Sequence, residues 1–265
     1  MKSNLVKLKF IFDKDFKKAK TKQELVDFII EKLEKQSDIK YAGYSKKEDL
    51  KRDLIKYIGD KNINNYQNIS KKQRKRIRIN IIKTIKKLNN TLPHPDPPIY
   101  IFIYPWFPKK EKSNIFKSIM ASASYYTIHL FIELNNYTQE SLRETLIHEW
   151  NHLVFYRYHS KEKYTLLEHM IIEGLAEVFR EEVIGGEPAP WAIALNRKEA
   201  QKQLNLLKGE LNKEDRDLYK NVFFGNDKFK KWTGYSIGYW LIKQFREENP
   251  NYSWEEILKC KLIDK

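Results

Sequence analysis

The chain reads TLIHEWNHLVFYR over residues 145–157, and the five residues from His148 to His152 fit the pattern H-E-x-x-H. In a helix, positions i and i+4 lie on one face, so both imidazoles can reach one metal ion while Glu149 flanks it. Thr138 is placed to cap this segment, which favours a helix independently of the motif. The apolar stripe of that helix consists of Leu142, Leu146, Leu153 and Tyr156. We therefore predict a metal site on a helix.

A catalytic zinc site needs a third protein ligand beside two histidines. A third histidine in the short extension H-x-x-G-x-x-H is excluded, because position 155 is Phe and position 158 is Tyr. Glu173 lies 21 residues after His152, which leaves room for a turn and an antiparallel second helix. We predict Glu173 as the third ligand. His169, one turn earlier, remains a substitute ligand, a donor close to the metal, or a packing residue.

The run Glu173-Gly174-Leu175-Ala176-Glu177 carries two further signals. Gly174 and Ala176 are small, so this helix can approach a neighbouring helix closely. Glu177, one turn beyond Glu173, is expected to accept a hydrogen bond from a ligand histidine and so fix its tautomer. The alternative for Glu177 is an exposed surface charge.

The rest of the chain predicts a small sheet among helices. Strands are expected at 5–12, 99–104 and 126–134, and the last is the expected edge on which an extended peptide would bind. Helix starts are predicted at Thr21, Ser45, Ser70, Thr165, Asn196 and Ser253. The run PHPDPP at 93–98 is the clearest linker. This order predicts an α+β fold, divided into a mostly helical region 1–96 and a catalytic domain 97–265.

Positive charge is concentrated in the first part of the chain. Residues 1–100 carry 26 Lys and Arg against 12 Asp and Glu, a net charge of +14, whereas the remainder carries +1. Such asymmetry can mark contact with nucleic acid or another anionic surface. Because no aromatic residues interleave the basic run at 71–87, we predict a solvated face with at most weak, non-specific affinity for nucleic acid. A basic nucleic-acid-binding protein with a structural or regulatory zinc site is the alternative function.

The remaining sequence features bear on location. The single cysteine, Cys260, cannot form an intrachain disulfide, which suits a reducing compartment. The chain contains no apolar run long enough to span a membrane and no cleavable signal pattern at its start. A cytoplasmic location is therefore expected, and the oligomeric state is left open.

Four runs of this sequence together resemble the predicted Zn-dependent protease family of the YjaZ type. They are TLIHEWNHLVFYR, LLEHMIIEGLAEVF, FFGNDKF and GYSIGYWLI, and they fall in order within residues 97–250. The resemblance implies a zincin-like fold of the glutamate-ligand type, bound Zn²⁺, and hydrolysis of peptide or protein substrates.

That ligand set implies a division of catalytic roles. Glu149 is expected to act as the general base for a zinc-activated water. A donor to the developing oxyanion is also needed, and Tyr235 is the first choice, with Tyr239 or His169 second. The glycines around Tyr235 and Tyr239 leave core packing as an equal alternative for both tyrosines.

Overall fold

The computed structural model describes residues 6–36, 39–59, 66, 68–94, 98–159 and 161–260. The strands are β1 (Val6–Phe10), β2 (Ile99–Pro105), β3 (Ile119–Ala123) and β4 (Thr127–Ile132). The helices are α1 (Lys22–Gln36), α2 (Lys47–Tyr57), α3 (Lys71–Thr91), α4 (Lys110–Ile115), α5 (Gln139–Tyr158), α6 (Leu166–Ile184), α7 (Arg197–Leu206), α8 (Arg216–Phe224), α9 (Thr233–Glu248) and α10 (Trp254–Lys259). The start of the predicted strand at Leu5 and the centre of the predicted linker lie outside the described residues.

The described residues form two compact units. The first contains residues up to Asn90 together with His94–Glu149, and the second contains Thr91–Pro93 and the chain from Trp150 onward. Strands from both sides of the predicted boundary at residue 96 therefore belong to the first unit. The assignment of separate roles to 1–96 and 97–265 stays a prediction.

The sheet of the first unit is mixed, with strand order β1-β2-β4-β3. β2 pairs in parallel with β1 and β4, so that Ile101 lies in register with Leu8 and Ile128, whereas β3 pairs antiparallel with β4. Every residue of β2 and β4 is buried. Continuous burial is typical of interior strands that are covered on both faces.

The predicted peptide-binding edge at 126–134 is wrong. β4, which forms the core of that predicted strand, is paired on both sides, by β2 and by β3. The outer position belongs to β3, a strand that the sequence did not predict because Ile119 is its only β-branched residue. A peptide added to this side of the sheet would pair with β3.

The helices of the first unit follow the predicted pattern with one exception. The predicted stripe of α3 is confirmed, since its members are at most 1% exposed: Ile77, Ile81, Ile85 and Leu88. Ser70 begins α3, as predicted, by accepting a hydrogen bond from the Gln73 backbone N–H at 3.2 Å. The predicted start of α2 at Ser45 is wrong, because Lys46 occupies the N-cap position and makes no side-chain cap bond. Glu48 and Asp49 in the first turn favour that end of the helix instead.

In the second unit, α6 and α9 cross at two glycines. A Cβ atom on Gly238 would collide with the carbonyl oxygen of Met170, and one on Gly174 would collide with the carbonyl oxygen of Gly238. The predicted close approach at Gly174 is confirmed, and the neighbour is α9. Since Glu173 precedes Gly174 directly, this crossing also determines where Glu173 lies.

The predicted helix starts of the second unit are confirmed. Thr165, Asn196 and Ser253 each form a complete capping box with the glutamate three residues later. Gly185 ends α6 with φ of 71°, a conformation that favours glycine.

The predicted α+β class is confirmed at this level: a small mixed sheet of four strands accompanies a mostly helical chain. Within the described part of the chain, no helix combines the length and apolar character needed to cross a bilayer.

Candidate metal centre

The H-E-x-x-H residues lie within one uninterrupted helix, α5. Thr138 caps it as predicted, because its hydroxyl accepts a hydrogen bond from the Ser141 backbone N–H at 2.9 Å. The Ser141 hydroxyl in turn accepts a bond from the Thr138 backbone N–H at 3.0 Å. Helical geometry then places His148 and His152 one turn apart on the same face.

Apolar packing fixes the rotation of α5 about its axis. Five residues around the motif are at most 1% exposed: Leu146, Ile147, Trp150, Leu153 and Val154. The indole N–H of Trp150 donates to the carbonyl oxygen of Leu92 at 2.9 Å. A helix held in this way presents its histidines in one orientation.

The carboxylate ligand comes from α6. The Thr165 hydroxyl accepts a hydrogen bond from the Glu168 backbone N–H at 3.3 Å, and the Glu168 carboxylate accepts one from the Thr165 backbone N–H at 2.8 Å. Two turns further on, Glu173 Oε2 lies 3.6 Å from His152 Nε2. The helix start encoded at Thr165 thus sets the register in which Glu173 meets His152.

The donor set fits a zinc ion. His148, His152 and Glu173 each offer one ligand atom, and these atoms all lie within 4.8 Å of one another. Zinc–ligand bonds of about 2.0–2.2 Å at tetrahedral angles hold two ligand atoms about 3.4 Å apart. The 3.6 Å between His152 and Glu173 is close to that tetrahedral edge and longer than a hydrogen bond.

The three residues and Glu149 differ in burial. His152 and Glu149 are only 6% and 7% exposed, whereas His148 and Glu173 are half-buried. Glu149 follows His148 directly in α5 and is not a member of the three-residue cluster. Because the cluster is partly open to solvent, water can reach the fourth coordination position that three protein ligands leave open.

Glu177 is buried and not a surface charge. Its Oε1 accepts hydrogen bonds from the Arg180 guanidinium at 2.8 and 3.1 Å and from the Ala189 backbone N–H at 2.8 Å. Arg180 also donates to the carbonyl oxygen of Glu187 at 2.9 Å. This pair ties the segment after α6 back to the helix, and the predicted bond from Glu177 to a ligand histidine stays a prediction.

His169 lies outside the three-residue cluster. Its ring packs against Tyr219, with centroids 4.5 Å apart, and against Tyr164 at 5.8 Å. Burial lowers the pKa of His169, although the charges of Glu173 and Glu168 oppose this shift. His169 is therefore mainly a neutral imidazole at neutral pH.

The two candidate tyrosines of α9 have different surroundings. Tyr239 is 3% exposed, and its hydroxyl donates to Glu181 Oε2 at 2.8 Å. Desolvation and that carboxylate raise the pKa of Tyr239 well above its usual value. Tyr235 is half-buried in the first turn of α9, where its ring meets Phe223 edge-on at 4.9 Å.

A continuous row of ring contacts joins His152 to Tyr235, and the sequence did not reveal it. Neighbouring rings along the row have centroids 4.4–6.2 Å apart, in the order His152, Tyr156, Tyr164, His169, Tyr219, Phe223 and Tyr235. Tyr156 could have been found, because it follows His152 by one turn on α5. Tyr219 could not, because only the packing of α8 brings it to His169.

Two histidines from one helix and a glutamate from the next, in an α+β chain, define a candidate zinc centre. A family described as "Predicted Zn-dependent protease (DUF2268)" matches residues 78–262 of this chain. The chain belongs to this family, which confirms the resemblance found in its motifs.

A protein of Bacillus subtilis is similar to part of this chain. Over 135 residues the chain is 26% identical to "Uncharacterized protein YjfC" of Bacillus subtilis (strain 168). The aligned segment covers 46% of this chain and 45% of that protein, so the chain spans less than half the length of this curated relative. No solved structure matches the chain at a significant level.

Proposed function

We propose that this chain is a zinc-dependent metallopeptidase of zincin-like fold that hydrolyses peptide bonds. The observation that carries this proposal is the convergence of His148, His152 and Glu173, whose ligand atoms lie within 4.8 Å of one another. The family to which the chain belongs supports the same reaction class. The H-E-x-x-H helix, the following glutamate helix and the mixed sheet support the zincin-like fold.

The three clustered residues would hold the metal, and Glu149 would move the proton. A zinc ion held by these residues would supply Lewis acidity and would lower the pKa of the attacking water towards about 7. The Glu149 carboxylate accepts the proton of the attacking water and then passes it to the leaving amine. From its place one turn after Glu173, Glu177 is proposed to orient a ligand histidine.

The Glu149→Gln substitution tests the general base. It preserves the shape of the side chain and removes its basicity, so zinc should remain while hydrolysis of a peptide library falls by a factor of about 100 or more. Zinc content and turnover are measured on the same zinc-loaded preparations. The matched control is Glu140→Gln, which changes an exposed glutamate of the same helix and should keep full activity. Wild-type turnover of the Glu149→Gln protein would contradict the role of Glu149 as general base.

Tyr235 is proposed as the donor to the developing oxyanion. A phenol stays protonated at neutral pH and reaches far from the backbone. We prefer Tyr235 to Tyr239 because the hydroxyl hydrogen of Tyr239 is committed to Glu181. His169 is the second candidate, from its place one turn before Glu173.

The Tyr235→Phe substitution should lower kcat by about 100-fold while KM, zinc content and Tm change little. The ring, and with it the packing on Phe223, is preserved. Tyr252→Phe is the control, since it removes a hydroxyl from an exposed tyrosine. A fall in Tm with unchanged kcat would make Tyr235 a packing residue and would move the donor role to His169.

A further inference from the structure

α3 exposes a basic surface opposite its buried stripe. Eight cationic side chains of this helix are exposed, and together they define the outer face of α3: Lys71, Lys72, Lys75, Arg76, Arg78, Lys83, Lys86 and Lys87. The core contacts of Ile77, Ile81 and Leu88 anchor the opposite side of the helix. These cations are therefore held on a packed helix. Arg78 differs from the others in that its guanidinium lies 5.8 Å from the centre of the buried Phe10 ring.

Two isoleucines lie in the middle of this basic surface. Ile79 is 55% exposed and Ile82 is 44% exposed, although isoleucine is among the residues most often buried in proteins. At a spacing of three residues they are neighbours on the helix surface. Helical rotation of about 100° per residue places Lys75 and Lys86 in line with them and the other cations on both flanks.

Most of these cations form no ion pair within the described residues. Elsewhere in the same unit, Lys51 pairs with Asp27 at 2.8 Å and Lys117 pairs with Glu144 at 2.6 Å. Seven of the eight cations, all except Lys87, form no ion pair with any described carboxylate. Their charge is available to an anionic partner.

We propose that the outer face of α3 binds the surface of an anionic lipid bilayer. The helix has 21 residues, so at about 1.5 Å per residue it is about 30 Å long and can lie flat on a membrane. Ile79 and Ile82 would enter the boundary between headgroups and acyl chains. The lysines would keep their ammonium groups among the anionic headgroups. This binding activity is additional to peptide hydrolysis and does not depend on it.

The isoleucines distinguish a bilayer from other anionic partners. Single-stranded nucleic acid is bound by cations on phosphates and by aromatic rings on bases, and the outer face of α3 has no aromatic residue. Duplexes are bound mainly by cations on phosphates, which leaves no role for the two isoleucines. Isoleucine side chains placed against phosphates would bury no apolar surface and would add no binding free energy. A second copy of the chain is disfavoured because two such faces carry the same charge.

Sedimentation with vesicles tests the proposal on the full-length chain. We expect binding to phosphatidylcholine vesicles that contain phosphatidylglycerol and none to pure phosphatidylcholine vesicles, at an ionic strength of about 0.15 M. The triple substitution Lys72→Ser, Lys83→Ser and Lys86→Ser should weaken binding about 100-fold, since each lysine near an anionic surface contributes a factor of about five. The double substitution Ile79→Ser and Ile82→Ser should weaken it roughly 10- to 30-fold.

A matched control comes from α7, which also exposes lysines and a large apolar residue. Substitution of Lys198, Lys202 and Leu206 by Ser should leave vesicle binding unchanged. The proposal fails if the wild-type protein does not bind vesicles that contain phosphatidylglycerol. It also fails if the Ile79→Ser and Ile82→Ser double substitution leaves vesicle binding unchanged. Tighter binding to duplex DNA or single-stranded RNA than to the vesicles would also overturn it and assign the face to nucleic acid.

Discussion

Among the single residues of the candidate site, Glu173 depends most on the packing of the chain. His148 and His152 lie one turn apart on α5, so the helix alone brings their imidazoles together. Glu173 comes from α6 and reaches 3.6 Å from His152 only because the two helices pack together. A change at Glu173 therefore tests whether this packing builds a metal site.

Glu173→Gln should weaken zinc binding by at least about 100-fold, because even the loss of a group that only supports a ligand costs 10- to 100-fold. Glutamine has nearly the same size and shape as glutamate but is a poorer, uncharged zinc ligand. Titration of the metal-free protein with zinc measures the change. His169→Gln is the matched control, one turn away on the same helix, and should bind zinc nearly as the wild type does. If His169→Gln loses the metal and Glu173→Gln keeps it, the ligands are assigned wrongly.

Residue types and spacing predict which side chains can be metal ligands. They predict less well which hydrogen-bond partners the neighbouring side chains find. The sequence predicted that His148, His152 and Glu173 would come together, and they do. It did not predict that Glu177 would be held by Arg180, although the pair is three residues apart on one helix. Charge pairs at that spacing are common on exposed helix surfaces, and burial, which the sequence does not show directly, makes this one important.

Among the helices of the second unit, the crossing of α6 and α9 leaves no room for a larger residue at either glycine. Both Gly174 and Gly238 lie where a Cβ atom would meet backbone of the facing helix. Backbone cannot rotate away as a flexible side chain can, so an added methyl group forces the helices apart. Such a shift would carry Glu173 with it.

Gly238→Ala should lower the free energy of unfolding by about 3 kcal/mol or more and should weaken zinc binding as well. Urea unfolding and zinc titration measure the two effects. Gly209→Ala is the control, since a Cβ atom there meets nothing within 4 Å, and it should be neutral or slightly stabilising. Equal stability of the two variants would show that α6 and α9 do not depend on this contact.

Elements with strong local signals were predicted well, and those that depend on neighbours were not. The capping boxes at Thr165, Asn196 and Ser253 are interactions between residues close in sequence, so the sequence contains them completely. β3 has little strand propensity of its own and exists because β4 provides a partner for it. The edge prediction failed for the same reason: periodicity identifies a strand but not its place in a sheet.

At the scale of the whole molecule, charge makes the protein sensitive to acid. The formal net charge is already +15 at pH 7, because 50 Lys and Arg side chains outnumber 35 Asp and Glu side chains. Protonation of those carboxylates raises the positive charge, and the growing repulsion destabilises compact states. The sequence alone predicts this general trend, because it requires only a count of charges.

His129 adds a specific contribution that only the structure reveals. It lies in β4, it is 4% exposed, and its Nδ1 lies 3.1 Å from the Tyr104 hydroxyl. Its ring also contacts Tyr44 and Phe102. Burial lowers the pKa of His129 from 6.5 to about 4, against the opposing influence of a hydrogen bond to the Ala42 backbone.

The unfolded chain therefore binds a proton at His129 between pH 6.5 and about 4, and the native protein does not. Linkage then requires that His129 leave the free energy of unfolding unchanged above pH 6.5. As the pH falls from 6.5 towards 4, the free energy of unfolding decreases by about 3 kcal/mol in all.

Urea unfolding at several pH values across this window should show that His129→Phe loses less stability on acidification than the wild type. Both proteins share the general charge repulsion, so it cancels in the comparison. Tyr104→Phe keeps the buried imidazole and should retain the wild-type pH dependence, although it removes the hydroxyl. Parallel stability curves for the wild type and His129→Phe would mean that His129 is protonated equally in the native and unfolded states.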